Sequence, residues 1–233
     1  MTGPIGPLVS IVIPVLDEAG ALPSLLDRLA ALPGSFELIV VDGGSSDGTA
    51  DHALAHPARP RVVHGGRGRA IQMNAGARSA RGDALLFLHA DTTLPANAYP
   101  TLALALSDPA VLGGNFRLRF DGADRFSRLL SGWYALQRRA GIYYGDSAIW
   151  LRTGAFARLD GFKALPIMED YDLVHRLERT GATVCLPGPV LTSARRWQRL
   201  GLTRTIASWV LIRWLFIAGA PPERLARLYP HVR

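Results

Sequence analysis

Short runs of apolar residues alternate with amphipathic stretches through the first half of the chain. Residues 9–14 (VSIVIP) and 36–41 (FELIVV) are rich in Val and Ile and end in turn-forming or acidic residues, which is typical of buried strands. Residues 21–31 between them have the periodicity of an amphipathic helix. The same reasoning predicts a strand at 61–64, a helix at 70–80 and a buried strand at 84–89. Continuous apolar strands that alternate with helices indicate an α/β fold with a mostly parallel central sheet flanked by helices.

The pattern changes after residue 110. Residues 111–120 alternate from Asn115 onward as an antiparallel strand would. The remaining predictions are a helix at 124–140, a strand at 147–151, a helix at 169–180 that Gly181 ends, and a strand at 183–186. Because no linker, internal repeat or low-complexity segment interrupts the chain, residues 1–233 are predicted to form one domain.

The composition is that of a globular protein with a sizeable core. Of the 233 residues, 48% are hydrophobic and 19% are charged. The first residues lack a basic region followed by an apolar stretch and a cleavage site, so no signal peptide is predicted. Cys185 is the only cysteine, which excludes an intramolecular disulfide and a cysteine-cluster metal site. These features favour a cytoplasmic location.

The net charge of +7 is confined to the C-terminal part of the chain. Residues 1–180 carry 18 basic and 18 acidic side chains, whereas residues 181–233 carry eight arginines and Glu223 alone. A nucleic-acid-binding domain usually spreads basic residues, interleaved with aromatic ones, over one face. The distribution therefore argues against a nucleic-acid partner.

The C-terminal basic region contains an apolar segment at residues 206–220. It is too short, and too interrupted by Arg213, to span a bilayer as a helix. Trp209 and Trp214 beside arginines fit an interfacial helix on an anionic membrane, which would place the protein peripherally on its inner face. A helix that packs on the core or forms a homodimer is the alternative, and the sequence leaves both open.

Acidic residues follow three of the predicted strands. Asp17 and Glu18 come after the first strand, Asp42 after the second and Asp91 after the fourth. The carboxyl ends of parallel strands meet at one edge of a sheet, where ligands gather. Neighbouring carboxylates repel unless a cation compensates them, and Mg²⁺ or Mn²⁺ bound to phosphate is suited to that role. Taken alone, the local segment favours Asp91 as an ordinary residue that opens a turn or caps the next helix.

Two loops of the first half are rich in glycine. Residues 42–49 (DGGSSDGT) can place backbone N–H groups and hydroxyls beside a ligand, with Asp47 capping a helix that begins near Thr49. Residues 65–77 (GGRGRAIQMNAGA) form a second such stretch that leads into a helix; the alternative is a flexible loop with solvated arginines. Neither loop matches the P-loop pattern or the dinucleotide-binding fingerprint.

Four segments occur together in a recognisable order. They are VSIVIPVLDE, VVDGGSSDGT, NAGARSARGDALLFLHADT and MEDYDLVHRL, which lie within residues 8–180. In this combination the chain resembles the inverting family 2 glycosyltransferases of the GT-A fold, and its size and SARRW stretch are similar to the small bacterial radical-SAM-associated transferases. The resemblance implies a nucleotide-sugar-binding half at 1–110, an acceptor-side half at 111–200 and basic amphipathic C-terminal helices at 201–233.

The resemblance also implies roles for residues of the first half. Residues predicted to bind the nucleotide sugar are Pro14, Asp17, Glu18, Asp42, Gly44, Arg69, Asn74, His89 and Ala90. Asp42 corresponds to the acid that contacts the base, and Asp91 to the last acid of the D-x-D motif, which binds the metal that bridges the phosphates. His89 departs from the family pattern because it replaces the first Asp of that motif.

In the second half, the pair Glu169 and Asp170 resembles the E-D pair at the start of the acceptor-side helix. Glu169 and Asp170 are then the predicted catalytic residues, with Asp170 as the general base, because inversion requires a group that accepts the proton of the attacking hydroxyl. Ordinary first-turn acids favoured by the helix dipole are the alternative. Asp146 is predicted to contact the donor sugar.

Residues Arg195, Arg196 and Trp197 lie where related enzymes place a segment that closes over the donor. Arginine suits a pyrophosphate and tryptophan can stack on a sugar. The Gln of the Q-x-x-R-W motif of processive synthases is absent, which argues against a polymerase. A solvated basic loop is the alternative.

These features predict a metal-assisted glycosyltransferase that uses Mg²⁺ or Mn²⁺ and moves a sugar from a nucleotide diphosphate to a hydroxyl acceptor of unknown identity with inversion. UDP is the nucleotide that the resemblance favours. A nucleotidyltransferase is the alternative enzyme, although no G-x-G-x-x-R-like loop follows the first strand. A lipid- or nucleic-acid-binding module that uses the basic C-terminus is the non-catalytic alternative.

Overall fold

A computed structural model describes residues 6–122, 124–193 and 202–229. Within these ranges the strands form one sheet with the order β3-β2-β1-β4-β6-β5-β7. The strands are β1 (Val9–Val15), β2 (Phe36–Asp42), β3 (Arg61–His64), β4 (Ala84–Phe87), β5 (Val111–Phe120), β6 (Trp150–Arg152) and β7 (Ala182–Thr192).

Helices cover both faces of this sheet. They are α1 (Leu22–Ala30), α2 (Thr49–Ala55), α3 (Arg69–Ser79), α4 (Ala98–Ser107), α5 (Arg125–Arg139), α6 (Thr153–Arg158), α7 (Glu169–Glu178), α8 (Leu202–Ile217) and α9 (Pro222–Leu228). A short 3₁₀ turn, Gly145–Ser147, precedes β6. The predicted α/β architecture with a mostly parallel sheet is thus confirmed.

The strand pairing brings three distant parts of the chain to one edge. Strand β1 lies between β2 and β4 and is parallel to both, with Val15 opposite Asp42 and Val12 opposite Phe87. Strand β6 runs antiparallel to β4 and to β5. The prediction that β5 is antiparallel is therefore correct for its pairing with β6 but not for its pairing with β7, to which it is parallel.

The apolar runs of β1 and β4 are continuous because these central strands are buried on both faces. In β1, Ile11 and Ile13 pack into the layer that includes α1 and α4, whereas Val12 packs into the layer that includes α3 and α7. Trp150 of β6 is fully buried in the first layer. The alternation of neighbouring side chains between two apolar layers fixes the register of the central strands.

Three predicted strand boundaries differ from the structure by two residues or more. Strand β4 ends at Phe87, before His89, and β6 begins at Trp150 because residues 145–147 form the 3₁₀ turn. Strand β7 continues to Thr192 through Pro187, Gly188 and Pro189, with a shift in register between Phe116 and Leu118 on its partner. Helices α4 and α6 were not predicted.

The C-terminal helices pack against one another and against the segment before α7. Ile212 of α8, Leu225 of α9 and Met168 form a small buried cluster. In the part of the chain that the structure describes, no helix combines the length and the apolar character needed to cross a membrane.

Two glycines offer a test of how closely α3 packs on the sheet. A Cβ at Gly76 would lie 2.4 Å from a methyl carbon of Val12 and 2.8 Å from one of Val41, whereas a Cβ at Gly132 of α5 would meet no atom within 4 Å. We expect Gly76→Ala to lower the free energy of unfolding by about 1–3 kcal/mol. Gly132→Ala should raise it by about 0.5–1 kcal/mol, because alanine is the better helix former.

Urea denaturation followed by circular dichroism measures both changes. Equal effects of the two substitutions would contradict the close approach of α3 to β1 and β2.

Candidate active site

A cleft of about 610 Å³ opens at the carboxyl edge of the parallel strands. The segments after β1 and β4 form one side, and side chains of α5, the start of α7 and α8 form the other. Eight of the residues predicted to bind substrate or to act in catalysis line it, namely Asp17, Glu18, Arg69, His89, Asp91, Asp146, Glu169 and Asp170. The cleft therefore combines acidic groups from both halves of the chain.

The loop after β2 is held against the loop after β1 by hydrogen bonds. Asp42 is 3% exposed, and its carboxylate accepts hydrogen bonds from the backbone of Gly44 and Ser45 and from the Ser45 hydroxyl. Asp17, whose φ of 55° is left-handed, donates its N–H to the same hydroxyl at 2.9 Å and accepts from the Ser46 N–H at 2.9 Å. These bonds fix the position of Asp17 at the cleft.

Asp47 and Thr49 extend this connection to the start of α1. The Asp47 carboxylate accepts N–H groups from Ala19 and Thr49, each at 3.0 Å, and the Thr49 hydroxyl accepts the N–H of Glu18 at 2.8 Å. Helix α2 begins at Thr49, as predicted. The acids of DGGSSDGT thus build a rigid wall beside the cleft.

Glu169 and Asp170 occupy the first turn of α7, where both face the cleft. Met168, with φ of 64°, turns the chain into the helix through a left-handed conformation that non-glycine residues rarely adopt. Glu169 is 5% exposed and lies 3.6 Å from a guanidinium nitrogen of Arg69. Burial and the neighbouring charge of Asp170 raise the pKa of Glu169, and Arg69 opposes that change.

Asp170 connects α7 to the 3₁₀ turn. Its Oδ2 accepts the backbone N–H of Gly145 at 2.7 Å. A Cβ at Gly145 would lie 2.7 Å from Nε2 of His89 and 3.3 Å from Oδ2 of Asp170. A side chain at position 145 would require His89 to shift, so the end of β4, the turn and α7 lie close together here.

Asp146 carries a buried carboxylate oxygen, Oδ1, that has no hydrogen-bond partner among the described residues. Burial, together with the charges of Asp170 and Asp91, raises its pKa to about 7, although Arg69 and the Tyr134 hydroxyl favour the ionised form. Buried polar atoms without partners are rare and often mark sites where a ligand or ion binds. The cleft thus holds more negative charge than Arg69 compensates.

His89 lines the same cleft as the acidic residues Asp91, Asp146, Glu169 and Asp170. Burial, and then the charge of Arg69, lower the pKa of His89 well below its usual value. The imidazole is therefore neutral near pH 7 and can accept a hydrogen bond through one nitrogen while it donates through the other.

The acidic group fits a divalent cation in part. Asp91 is an exposed carboxylate at the cleft, and its charge acts on Asp146, so a cation there would relieve repulsion. In the ranges that the structure describes, no set of three or more His, Cys, Asp or Glu side chains converges closely enough to hold a metal unaided. Carboxylate oxygen suits Mg²⁺ and Mn²⁺, which commonly complete their shells with substrate phosphates and water.

The other side of the cleft was not predicted from the sequence. Arg213 of α8 donates a hydrogen bond to Gln137 of α5 and lies against the Tyr144 hydroxyl. Tyr134 and Trp209 meet edge to face, with ring centroids 6.1 Å apart. The signal available in the sequence was the pair of helical segments with aromatic and arginine residues at helical spacing, which periodicity alone cannot place beside a site.

Five described residues with predicted ligand roles do not line the cleft, namely Pro14, Asp42, Gly44, Asn74 and Ala90. Asn74 instead donates its amide to the Phe162 carbonyl at 2.7 Å and accepts the Phe162 N–H at 2.9 Å, and so holds the chain after α6. The predicted closing residues Arg195, Arg196 and Trp197 lie outside the described residues.

The raised pKa of Asp146 predicts a pH-dependent stability. Because the folded-state pKa of about 7 exceeds the unfolded value near 3.8, the wild-type protein loses stability as the pH rises between these values. Asp146→Asn removes that loss. In metal-free buffer, its melting temperature relative to wild type should rise by on the order of 5 °C from pH 5 to pH 8.

Asp51→Asn, an exposed change on α2, is the matched control and should show the same difference at both pH values. Differential scanning calorimetry with EDTA present measures the series. A pH-independent difference for Asp146→Asn would contradict the electrostatic coupling of the acidic group.

Comparisons of sequence place this chain among glycosyltransferases. The family model for glycosyl transferase family 2 matches residues 10–161. An undecaprenyl-phosphate 4-deoxy-4-formamido-L-arabinose transferase of Aeromonas hydrophila subsp. hydrophila is 32% identical over 159 residues, which are 63% of this chain and 48% of that protein. A PGL/p-HBAD biosynthesis glycosyltransferase of Mycobacterium bovis is 41% identical over 96 residues, 38% of this chain and 37% of that protein. The chain spans about half the length, or less, of these curated relatives.

Solved structures agree on the architecture. A mannosyltransferase of Pyrobaculum calidifontis in complex with GDP-Man and Mn²⁺ has a TM-score of 0.68 at 22% identity, covering 97% of this chain and 70% of that one. A glucosyl-3-phosphoglycerate synthase of Mycobacterium tuberculosis in complex with Mn²⁺, UDP and phosphoglyceric acid has a TM-score of 0.62 at 21% identity, covering 93% and 80%. The family match and these similarities establish that the chain belongs to glycosyl transferase family 2 and has the GT-A fold.

Proposed function

We propose that the chain transfers a sugar from a nucleotide-diphosphate donor to a hydroxyl acceptor with inversion at the anomeric carbon. The proposal rests on one observation: Asp91, Asp146, Asp170 and Arg69 line the same cleft at the carboxyl edge of the sheet. Such an edge is where α/β folds bind nucleotides, and the family membership supports the same class of donor.

The donor binds, in this proposal, along the side formed after β1 and β4, to which the loop after β2 is hydrogen-bonded through Ser45 and Asp17. Asp17 and Glu18 contact the nucleotide, while Asp42 shapes the loop that receives the base. Related structures support a nucleotide sugar as the ligand, because one contains GDP-Man and TarS of Staphylococcus aureus was solved with UDP-GlcNAc. We retain UDP as the first choice of nucleotide to test.

Asp91 would hold Mg²⁺ or Mn²⁺ together with the donor phosphates, and His89 beside it can hydrogen-bond a phosphate or ribose oxygen. When bound, the ion neutralises charge that develops on the departing diphosphate. Arg69 reaches the same region from α3 and adds a positive charge. The presence of Mn²⁺ in two related structures supports this choice of metal.

Asp170 is the proposed general base. Its Oδ2 is positioned by the Gly145 N–H, and the carboxylate faces the cleft opposite the loops that bind the donor. It accepts the proton of the acceptor hydroxyl as the oxygen attacks the anomeric carbon and the bond from that carbon to the diphosphate breaks. Glu169, paired with Arg69, holds the first turn of α7 in place, and Asp146 contacts the donor sugar.

These roles assign different functions to different segments of the chain. We assign residues 1–110 to the donor half, 111–200 to the acceptor half, and 201–233 to a C-terminal helical unit of the same domain. The family match covers nearly all of the donor half and more than half of the acceptor half. A nucleotidyltransferase, and a non-catalytic binding module, are not favoured because the family match and the acidic cleft both point to sugar transfer.

Donor binding can be tested without an acceptor. We expect one nucleotide sugar in a panel to raise the melting temperature in the presence of Mn²⁺, because a ligand that binds the native state stabilises it. Asp91→Asn should lower the affinity for the ligand in the presence of Mn²⁺ by at least about tenfold. The Mn²⁺-dependent part of the shift should therefore become smaller. Differential scanning fluorimetry measures the shift, with Asp51→Asn, on exposed α2, as the control that keeps it. No shift with any nucleotide sugar would contradict the proposal.

The role of Asp170 requires a catalytic measurement. Asp170→Asn keeps an oxygen that can accept the Gly145 N–H, but its carboxamide cannot act as a base, so release of nucleotide diphosphate should fall about 10²- to 10⁴-fold. Donor binding by calorimetry should change little. Asp172→Asn is the matched control in the same helical turn, because Asp172 pairs with Lys163 and Arg176, and it should retain activity within a few-fold. Near-normal turnover of Asp170→Asn would exclude Asp170 as the base.

A further inference from the structure

Exposed apolar side chains concentrate on two helices beside the cleft. Among the described residues, seven of the twelve strongly exposed large hydrophobic side chains belong to α5 and α8. Single exposed apolar residues are ordinary, but a contiguous set on a protein surface marks a binding surface. The members of this set are Phe126, Leu129, Trp133 and Leu136 of α5, and Leu211, Trp214 and Ile217 of α8.

The set on α5 forms one stripe. Phe126, Leu129, Trp133 and Leu136 follow one another at intervals of three, four and three residues, which places them on one side of the helix. Their exposed fractions range from 44% to 67%. The residues that α5 buries against the sheet, such as Leu130, occupy the adjoining side, so the stripe is additional to the packing surface of the helix.

Helix α8 divides its surface in the same way. Trp209 and Arg213 face the cleft, whereas Leu211 (54% exposed), Trp214 (59%) and Ile217 (54%) face solvent. A helix that served only to pack on the core would be expected to turn polar residues outward. The outward face of α8 is instead apolar and includes a tryptophan, whose ring suits the boundary between water and lipid.

The two apolar surfaces flank the same opening. Trp133 belongs to the α5 stripe and also lines the cleft, and the hydrogen bond from Arg213 to Gln137 joins α8 to α5 across the cleft wall. The α5 stripe therefore reaches the cleft at Trp133, and α8 borders the same cleft.

Charge identifies the partner. Helices α5 and α8 contain six arginines and no acidic residue. Of these, Arg125, Arg128, Arg139 and Arg204 are exposed. Asp124, the nearest acid at the start of α5, uses its carboxylate to cap the helix at the N–H groups of Phe126 and Ser127. A second copy of the chain would bring these arginines against one another, whereas an anionic lipid surface complements them.

We propose that the outward faces of α5 and α8 dock on an anionic lipid bilayer and present the cleft to the membrane interface. Trp133, Trp214 and the leucines insert among the acyl chains near the headgroups, and the exposed arginines pair with lipid phosphates. The docking involves no catalysis, so it can be tested whether or not the proposed transferase activity is correct.

Cosedimentation of the full chain with lipid vesicles tests the surface. The wild-type protein should bind vesicles that contain phosphatidylglycerol at least about tenfold more tightly than vesicles of phosphatidylcholine alone, and added salt should weaken binding. The combined variant L129E/L211E/W214E should lose at least about tenfold in affinity, because it places charge where apolar side chains insert. L54E and L104E alter leucines that are 65% and 74% exposed on α2 and α4, and they should bind as wild type does.

A second variant tests the same surface in case the first variant misfolds. Arg125→Gln, Arg128→Gln and Arg204→Gln together leave the apolar faces intact and should lower both affinity and its salt dependence. The proposal is overturned if wild type does not bind phosphatidylglycerol vesicles, or if the L54E and L104E controls lose binding equally. Sedimentation velocity that shows a dimer abolished by L129E/L211E/W214E would assign the surface to a second copy instead.

Discussion

Parallel pairing of β1 with β2 and β4 is the constraint on which the rest of the structure depends. The pairing forces the chain to leave all three strands at the same edge, although residues 17, 42 and 91 are far apart in sequence. Acidic side chains at these exits then share one region and repel one another. The structure lowers that repulsion in two ways. The Asp42 carboxylate accepts hydrogen bonds from its own loop, whereas Asp91 is exposed to solvent at the cleft.

The second half of the chain adds negative charge to the same region without neutralising it fully. Asp146 and Glu169 both have raised pKa values because they are buried beside other carboxylates, and Arg69 compensates them only in part. An arrangement of this kind is costly for folding and is typical of functional sites. In the proposed function, a metal bound with the donor phosphates would compensate this charge.

Sequence reasoning was sufficient where a local pattern fixes the position of a residue. Apolar strands followed directly by Asp17, Glu18 and Asp91 locate those residues at the edge of the sheet, and the cleft contains them. It was insufficient where a residue acts through long-range packing. Arg213 and Tyr134 reach the cleft because α8 and α5 pack together, and Asn74 is drawn away from it by the Phe162 backbone. Strand β6 starts late because Asp170 holds Gly145 in a turn, a contact across 25 residues.

Strand β7 forms one edge of the sheet, and its sequence has a consequence for behaviour at high concentration. An open edge offers N–H and C=O groups to strands of other molecules, which leads to aggregation. Pro187 and Pro189 remove two donors from this edge, and the bonds between Leu191 and Thr93 occupy the groups near its end. At the other edge, β3 is only four residues long. The sheet therefore has little capacity to recruit further strands, and self-association through the sheet is disfavoured.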